Sequence, residues 1–279
     1  MVAIEQIENL LDIARFDEAH KHAGRWVAEY PDHGYGYALL CRACLGLDNA
    51  PDAERHIRRA LSLEPDEGYF HFLYSIVALR LKHFEPARKH AETAVKFDPE
   101  NDQFLLQLFY MHLQNGELKQ GEIVANQLVA LVPDAYEAHQ AKGEVCHKLE
   151  RYKEAGEHFA IALSRSPEND YLQYSLAYCQ LETKQYQDAV LNMLNLVKRN
   201  PADHDYANEL YRMICRFKGK SKDKNDAFWQ QLPRECRVFY EQKETSRGFT
   251  GRWAKWLTIT SWLVVLAGMV WLFSVITPQ

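Results

Sequence analysis

Chemistry in this chain would have to start from its thiols and imidazoles. Cys41 and Cys44 form a Cys-x-x-Cys pair, a spacing that serves zinc binding or thiol exchange. A four-ligand zinc site needs a second pair or a His-x-x-x-His run, and the sequence holds neither. Both cysteines also occupy packing positions inside an apolar helical run. The twelve histidines offer no better start. His20 and His22 are two residues apart and diverge on a helix, His71 and His139 occupy equivalent repeat positions, and His-Glu-x-x-His is absent. A phosphate-cradling glycine loop and a Gly-x-Ser-x-Gly elbow are missing as well, because the glycines are scattered over turns and packing points. The expectation is a protein without catalytic residues, metal or cofactor.

The elements that would position any site are set by a period of 34. Pro31, Pro65, Pro99, Pro133, Pro167 and Pro201 keep that interval, and they are six of the ten prolines. Small residues keep it too, at Ala19, Ala53, Ala87, Gly121, Ala155 and Ala189. A third ladder of mostly large apolar groups runs through Phe16, Ala50, Phe84, Leu118, Tyr152 and Tyr186. Each period holds two amphipathic segments about three helical turns long, joined by a polar turn. The small residue lets the two helices approach, the large one fills the gap near the turn, and the proline ends the unit. Phe109 stands where the neighbouring units carry Cys41, Ser75, Gly143 and Ala177, and predicts a local change in hairpin spacing.

These ladders resemble the tetratricopeptide-repeat (TPR) family, over roughly residues 2 to 217. The resemblance implies an all-α superhelix of about six helical hairpins with a capping helix. The repeats are expected at about 2–33, 34–67, 68–101, 102–135, 136–169 and 170–203, with the cap at 204–217. Stacked neighbours then bury the core in one dimension. In TPR arrays the second, fifth and ninth positions of each first helix line a concave groove. Here those positions hold Tyr35, Ala38 and Arg42, then Tyr69, Phe72 and Ile76, then Gln103, Leu106 and Tyr110. Glu137, Gln140 and Glu144 follow, and then Tyr171, Tyr174 and Tyr178. Two aromatic patches flanking an acidic step suit a peptide with apolar anchors and a cation beside Glu137 or Glu144. The same aromatics could instead pack between neighbouring first helices, or hold the chain's own segment 227–245. A clamp for a C-terminal carboxylate, which one TPR subclass builds from Lys, Arg and Asn, is not expected, since Arg42 is the one basic residue among these positions.

The remainder of the chain reads differently. Residues 256 to 276 contain no charged side chain, and as a helix would be about 31 Å long, close to the hydrocarbon thickness of a bilayer. Arg247, Arg252 and Lys255 flank only its N-terminal side, and Trp253, Trp256, Trp262 and Trp271 suit the interfaces. The expectation is a single C-terminal transmembrane helix of tail-anchored type with the repeats in the cytoplasm, consistent with a bacterial inner membrane. The acidic first twenty residues do not read as a signal peptide. Six cysteines without disulfide spacing fit a reducing compartment.

Residues 218–255 hold ten Lys or Arg against five Asp or Glu, and 256–279 hold none, which leaves ten net negative charges on 1–217. That balance excludes a nucleic-acid partner for the repeats. Lys218, Lys220, Lys222 and Lys224 would meet anionic lipid, or form a solvated linker. Segment 227–245, with Phe228, Trp229, Leu232, Val238, Phe239 and Tyr240, would lie on the bilayer or fold back onto the repeats. The expected function is a non-enzymatic, membrane-anchored scaffold whose groove binds a protein or peptide. The alternatives are an assembly factor or chaperone for membrane complexes, and a self-assembling structural protein.

Overall fold

The computed structural model describes residues 4–218, 234 and 236–243. Among these residues the chain is all-α, with helices paired along the sequence. They are α1 (Ile4–Asp12) with α2 (Phe16–Glu29), α3 (Gly34–Gly46) with α4 (Ala50–Leu63), and α5 (Gly68–Arg80) with α6 (Phe84–Phe97). α7 (Asp102–Gln114) pairs with α8 (Leu118–Leu131), and α9 (Tyr136–Lys148) with α10 (Tyr152–Arg165). α11 (Asp170–Glu182), α12 (Tyr186–Arg199) and α13 (His204–Lys218) follow. The chain divides into two compact units, 1–172 and 173–279.

In the first unit each hairpin packs on the next, and the first helices α1, α3, α5, α7 and α9 lie side by side. The small residues Ala19, Ala53, Ala87 and Ala155 are wholly buried, as close helix approach requires. The large-residue ladder behaves less uniformly, for Phe84 is 48% exposed and fills no gap. The starts of α7 and α11 are capped by side chains preceding them: Asn101 Oδ1 accepts from Phe104 N–H at 3.2 Å and Asn169 Oδ1 from Leu172 N–H at 3.2 Å. Pro51 and Pro86 fall within the first turns of α4 and α6, where a missing N–H costs nothing.

Each hairpin turn is built the same way. Ala14, Asp48, Lys82, Gly116, Glu150 and Lys184 all have positive φ, between 56° and 75°, and recur every 34 residues. At the second turn Asn49 N–H donates to Cys44 O at 2.9 Å and Asp48 N–H to Leu45 O at 3.2 Å, which is the Schellman pairing that satisfies the last carbonyls of a helix. Five of these six positions carry a side chain where glycine would be relaxed. Lys82→Gly and Glu150→Gly are therefore expected to stabilise the protein by about 0.5–1 kcal/mol each, read as a higher denaturant midpoint at unchanged slope.

The described part of the second unit closes around Ala177, Leu181, Ala189, Met193, Leu196, Leu210 and Ile214. Residues 236–243 are helical and bury Cys236 and Tyr240 in that cluster, with the Tyr240 ring stacked on Tyr211 at 5.5 Å and an interplanar angle of 7°. Of the two placements open for segment 227–245, its described portion thus takes the one on the repeat helices. Apolar burial decides it, since Tyr240 is only 9% exposed. The expected span 256–276, the linker residues Lys220, Lys222 and Lys224, and the side chain of Lys218 lie outside the described residues. Among the described residues no helix is long and apolar enough to cross a membrane.

Candidate functional site

The predicted groove positions of the first unit fall on the row of first helices and form two chemically distinct stretches. At the N-terminal end Tyr35, Tyr69 and Phe72 make a run of rings, with centroids 6.3 Å apart for both Tyr35–Tyr69 and Tyr69–Phe72, and Phe104 lies 5.1 Å beyond Phe72. Their polar tips are used internally. Tyr35 Oη donates to Glu8 Oε1 at 2.6 Å, and Arg42 pairs with Asp12 at 3.2 Å, both on α1. Burial and the Glu8 carboxylate push the Tyr35 phenol up, and burial does the same to Tyr69. Ile76 is half-buried on α5.

Further along is a cavity of about 390 Å³ between α7, α8 and α9. Phe72, Leu106, Tyr110, Leu128 and Val132 form its apolar wall, and Asp102, Gln103, Gln107 and Glu137 supply its polar groups. Gln107 Nε2 is buried without a hydrogen-bond partner among the described residues. This residue lies one position beyond the Leu106 that sequence spacing singled out.

Of the two acidic residues proposed to meet a cation, only Glu137 lines this cavity. Glu144 is engaged elsewhere, accepting from Gln140 Nε2 at 2.8 Å and from Tyr171, while burial raises its carboxyl above the usual range. Tyr110, also pushed up by burial, receives a 3.4 Å contact from the same Gln140 amide. Glu144 thus sits in a desolvated hydrogen-bonded network on the same helix as the cavity's Glu137, not in the cavity wall. In the second unit Tyr174 packs against the buried cluster, its ring 6.3 Å from Tyr206, and Tyr178 is half-buried.

Sequence reasoning passed over three polar arrangements. His71 Nδ1 meets His90 Nδ1 at 2.8 Å, and two repeats later His139 Nδ1 meets His158 Nδ1 at 3.0 Å. In each pair the first-helix imidazole also reaches a ladder proline carbonyl, Pro65 O at 2.9 Å or Pro133 O at 3.0 Å. Burial, then the facing His71, lower the His90 pKa to about 4. Lys142, only 6% exposed, sits between Glu122 Oε1 at 2.9 Å and Glu154 Oε1 at 3.2 Å, with Arg151 bound to both carboxylates. In the third, His20 of α2, the buried Cys44 of α3 and His56 of α4 bring their ligand atoms within 4.8 Å of one another. Spacing could not show it, because the three residues come from three helices.

The hairpins and their side-by-side first helices define a class, the helical-repeat binding proteins. Two family models described as tetratricopeptide repeat match residues 147–214, and 40–102 with 106–170. Together they cover more than half of the chain, which belongs to the TPR family. A comparison with curated proteins finds no match. Among solved structures the chain is similar to PilW, described as a widely conserved type IV pilus biogenesis factor, with a TM-score of 0.68 and 15% identity over 74% of this chain and 96% of that one. It is similar to YrrB, described as a TPR protein with an unusual peptide-binding site, with a TM-score of 0.56 and 16% identity over 68% and 97%. It is also similar to a chain of the APC/C hetero-tetramer Cut9–Hcn1, with a TM-score of 0.65 and 12% identity over 85% of this chain, and spans about half of that chain, 48%. At these identities the likeness is one of fold.

Proposed function

We propose that this TPR protein is a membrane-tethered scaffold that grips an apolar-anchored, positively charged segment of a partner protein in the cavity between α7, α8 and α9. The observation that carries the reading is the composition of that cavity. Phe72, Leu106 and Tyr110 offer apolar area to a side-chain anchor, Glu137 and Asp102 offer negative charge, and Gln107 Nε2 is a buried donor without a protein partner. The net negative charge of residues 1–217 favours approach of a basic partner. Residues 256–276 are the proposed anchor, cytoplasmic repeats the proposed orientation, and Lys218, Lys220, Lys222 and Lys224 the proposed contact with anionic lipid. Confinement to a surface would raise the effective concentration of a partner without any new contact.

The test is photo-cross-linking in cells from a reactive residue at Leu106. A discrete partner is expected, and Glu137→Lys with Phe72→Ala should lower its yield more than about tenfold while helicity stays constant. Unchanged cross-linking in that variant removes the cavity from the site. Recovery of one partner in fixed ratio marks a scaffold, whereas several immature membrane subunits held briefly mark an assembly factor. Removal of residues 256–279 should release the protein from the membrane fraction, and retention would remove the tether.

A further inference from the structure

The first two hairpins carry a second site, unrelated to the cavity. His20 on α2, Cys44 on α3 and His56 on α4 direct two imidazoles and a thiol at one point, their ligand atoms all within 4.8 Å. Among the described residues no other place gathers three such atoms. None of the three side chains is engaged in a hydrogen bond within the described protein, although Cys44 is 1% exposed and His56 is half-buried. Convergent, unpaired ligand atoms on three rigid helices are what a metal site looks like before the metal is considered.

We propose that His20, Cys44 and His56 bind a borderline transition-metal ion, zinc in the first instance, which ties the first hairpin to the second. Two nitrogens and one thiolate are the donors that zinc accepts, at about 2.0–2.1 Å for nitrogen and about 2.3 Å for sulfur. A tetrahedron with those bonds holds its ligands roughly 3.3–3.7 Å apart, so binding would draw the three ligand atoms closer than the 4.8 Å within which they now lie. Water completes the fourth position. Asp52 and Arg55, an ion pair at 3.1 Å in the turn before His56, both lie close enough to act on Cys44 and His56, with opposite signs. Cys41, the other member of the Cys-x-x-Cys pair, lies outside the cluster and is fully buried. The site therefore uses one cysteine of the pair and takes its other ligands from neighbouring helices. On binding, the Cys44 thiol loses its proton to solvent and the metal gains a sulfur bond, with no change of oxidation state.

The experiment is a cobalt(II) titration of the purified full chain, reduced and freed of metal by a chelator. One equivalent should bind, produce a thiolate-to-cobalt charge-transfer band with tetrahedral d–d bands, and be displaced by zinc. His20→Ala should weaken binding by more than the roughly 10–100-fold that loss of an outer-shell partner costs. Cys44→Ser should remove the charge-transfer band, and Cys41→Ser should keep it. In the unsubstituted chain zinc should slow alkylation of Cys44, a readout that needs no variant to fold. No band at one equivalent, a band that survives Cys44→Ser, a band lost equally in Cys41→Ser, or alkylation of Cys44 indifferent to zinc would each overturn the proposal.

Discussion

Phe159→Ala is expected to destabilise the first unit by about 3–5 kcal/mol, the cost of emptying a fully enclosed aromatic site, and to invert the effect of a second substitution, Gly143→Ala. Phe159 on α10 is 1% exposed. A Cβ added to Gly143 on α9 would lie 2.8 Å from two atoms of its ring and 3.1 Å from Cγ. The clash reaches the root of the ring, which cannot swing aside in a close-packed site, so Gly143→Ala alone should cost about 1–3 kcal/mol. With the ring gone the same change meets no obstacle and recovers about 1 kcal/mol, because alanine is the better helix former. A double-mutant cycle by denaturant unfolding checks this. Additive effects would show that glycine and ring are not locked together.

That pair also shows how far the sequence can be read. The ladder of prolines and small residues marks every hairpin, because those types answer to backbone sterics that repeat wherever the hairpin repeats. Phe109 looked like a break in the ladder, and the structure accounts for it by where volume is placed. At matching hairpin positions the buried residues are Cys41 with Ile57, Ser75 with Ala91, Phe109 with Ala125, Gly143 with Phe159, and Ala177 with Met193. In the fourth hairpin the bulk sits on the first helix, and in the fifth on the second. A column read down one position cannot reveal a trade made between two columns. The turn was half legible: its polarity was visible, but its left-handed residue is glycine only at Gly116, so composition did not advertise it. Tyr69, Phe72, Leu106 and Tyr110 followed from family spacing, whereas Gln107 and the capture of Glu144 by Gln140 depend on which way side chains turn, which spacing does not encode.

Lys142→Met should destabilise the protein by about 2–3 kcal/mol at neutral pH, and the loss should fade in acid. The ammonium is 8% exposed at the side chain and stands between Glu122 of α8 and Glu154 of α10, so it joins two hairpins. Replacing it leaves two carboxylates facing each other with Arg151 alone between them. The expected cost is set below the range for a fully buried pair because Glu122 and Glu154 keep 25% and 37% of their side-chain surface in water. Hydrogen bonds from Arg151 and Lys142 hold the Glu122 carboxyl below its usual range. Burial works against the Glu154 carboxylate, but the bonds from Lys142 and Cys146 and the charges of Lys142 and Arg151 together outweigh it, and the net direction is again down. Burial likewise opposes the Lys142 charge, and its two carboxylate partners prevail, raising its pKa. A carboxyl with a depressed folded pKa stabilises fully above its unfolded value, near 4.3, and loses that contribution as pH falls through the folded one. The raised lysine stabilises fully below its unfolded value, near 10.4, and loses that contribution as pH climbs through the folded one. The difference in unfolding free energy between the parent and Lys142→Met should therefore form a plateau from about pH 5 to about pH 10 and narrow below about pH 4. A difference that stays constant into acid would mean that the lysine acts through its hydrocarbon stem, packed between α8 and α10, and that its charge is incidental.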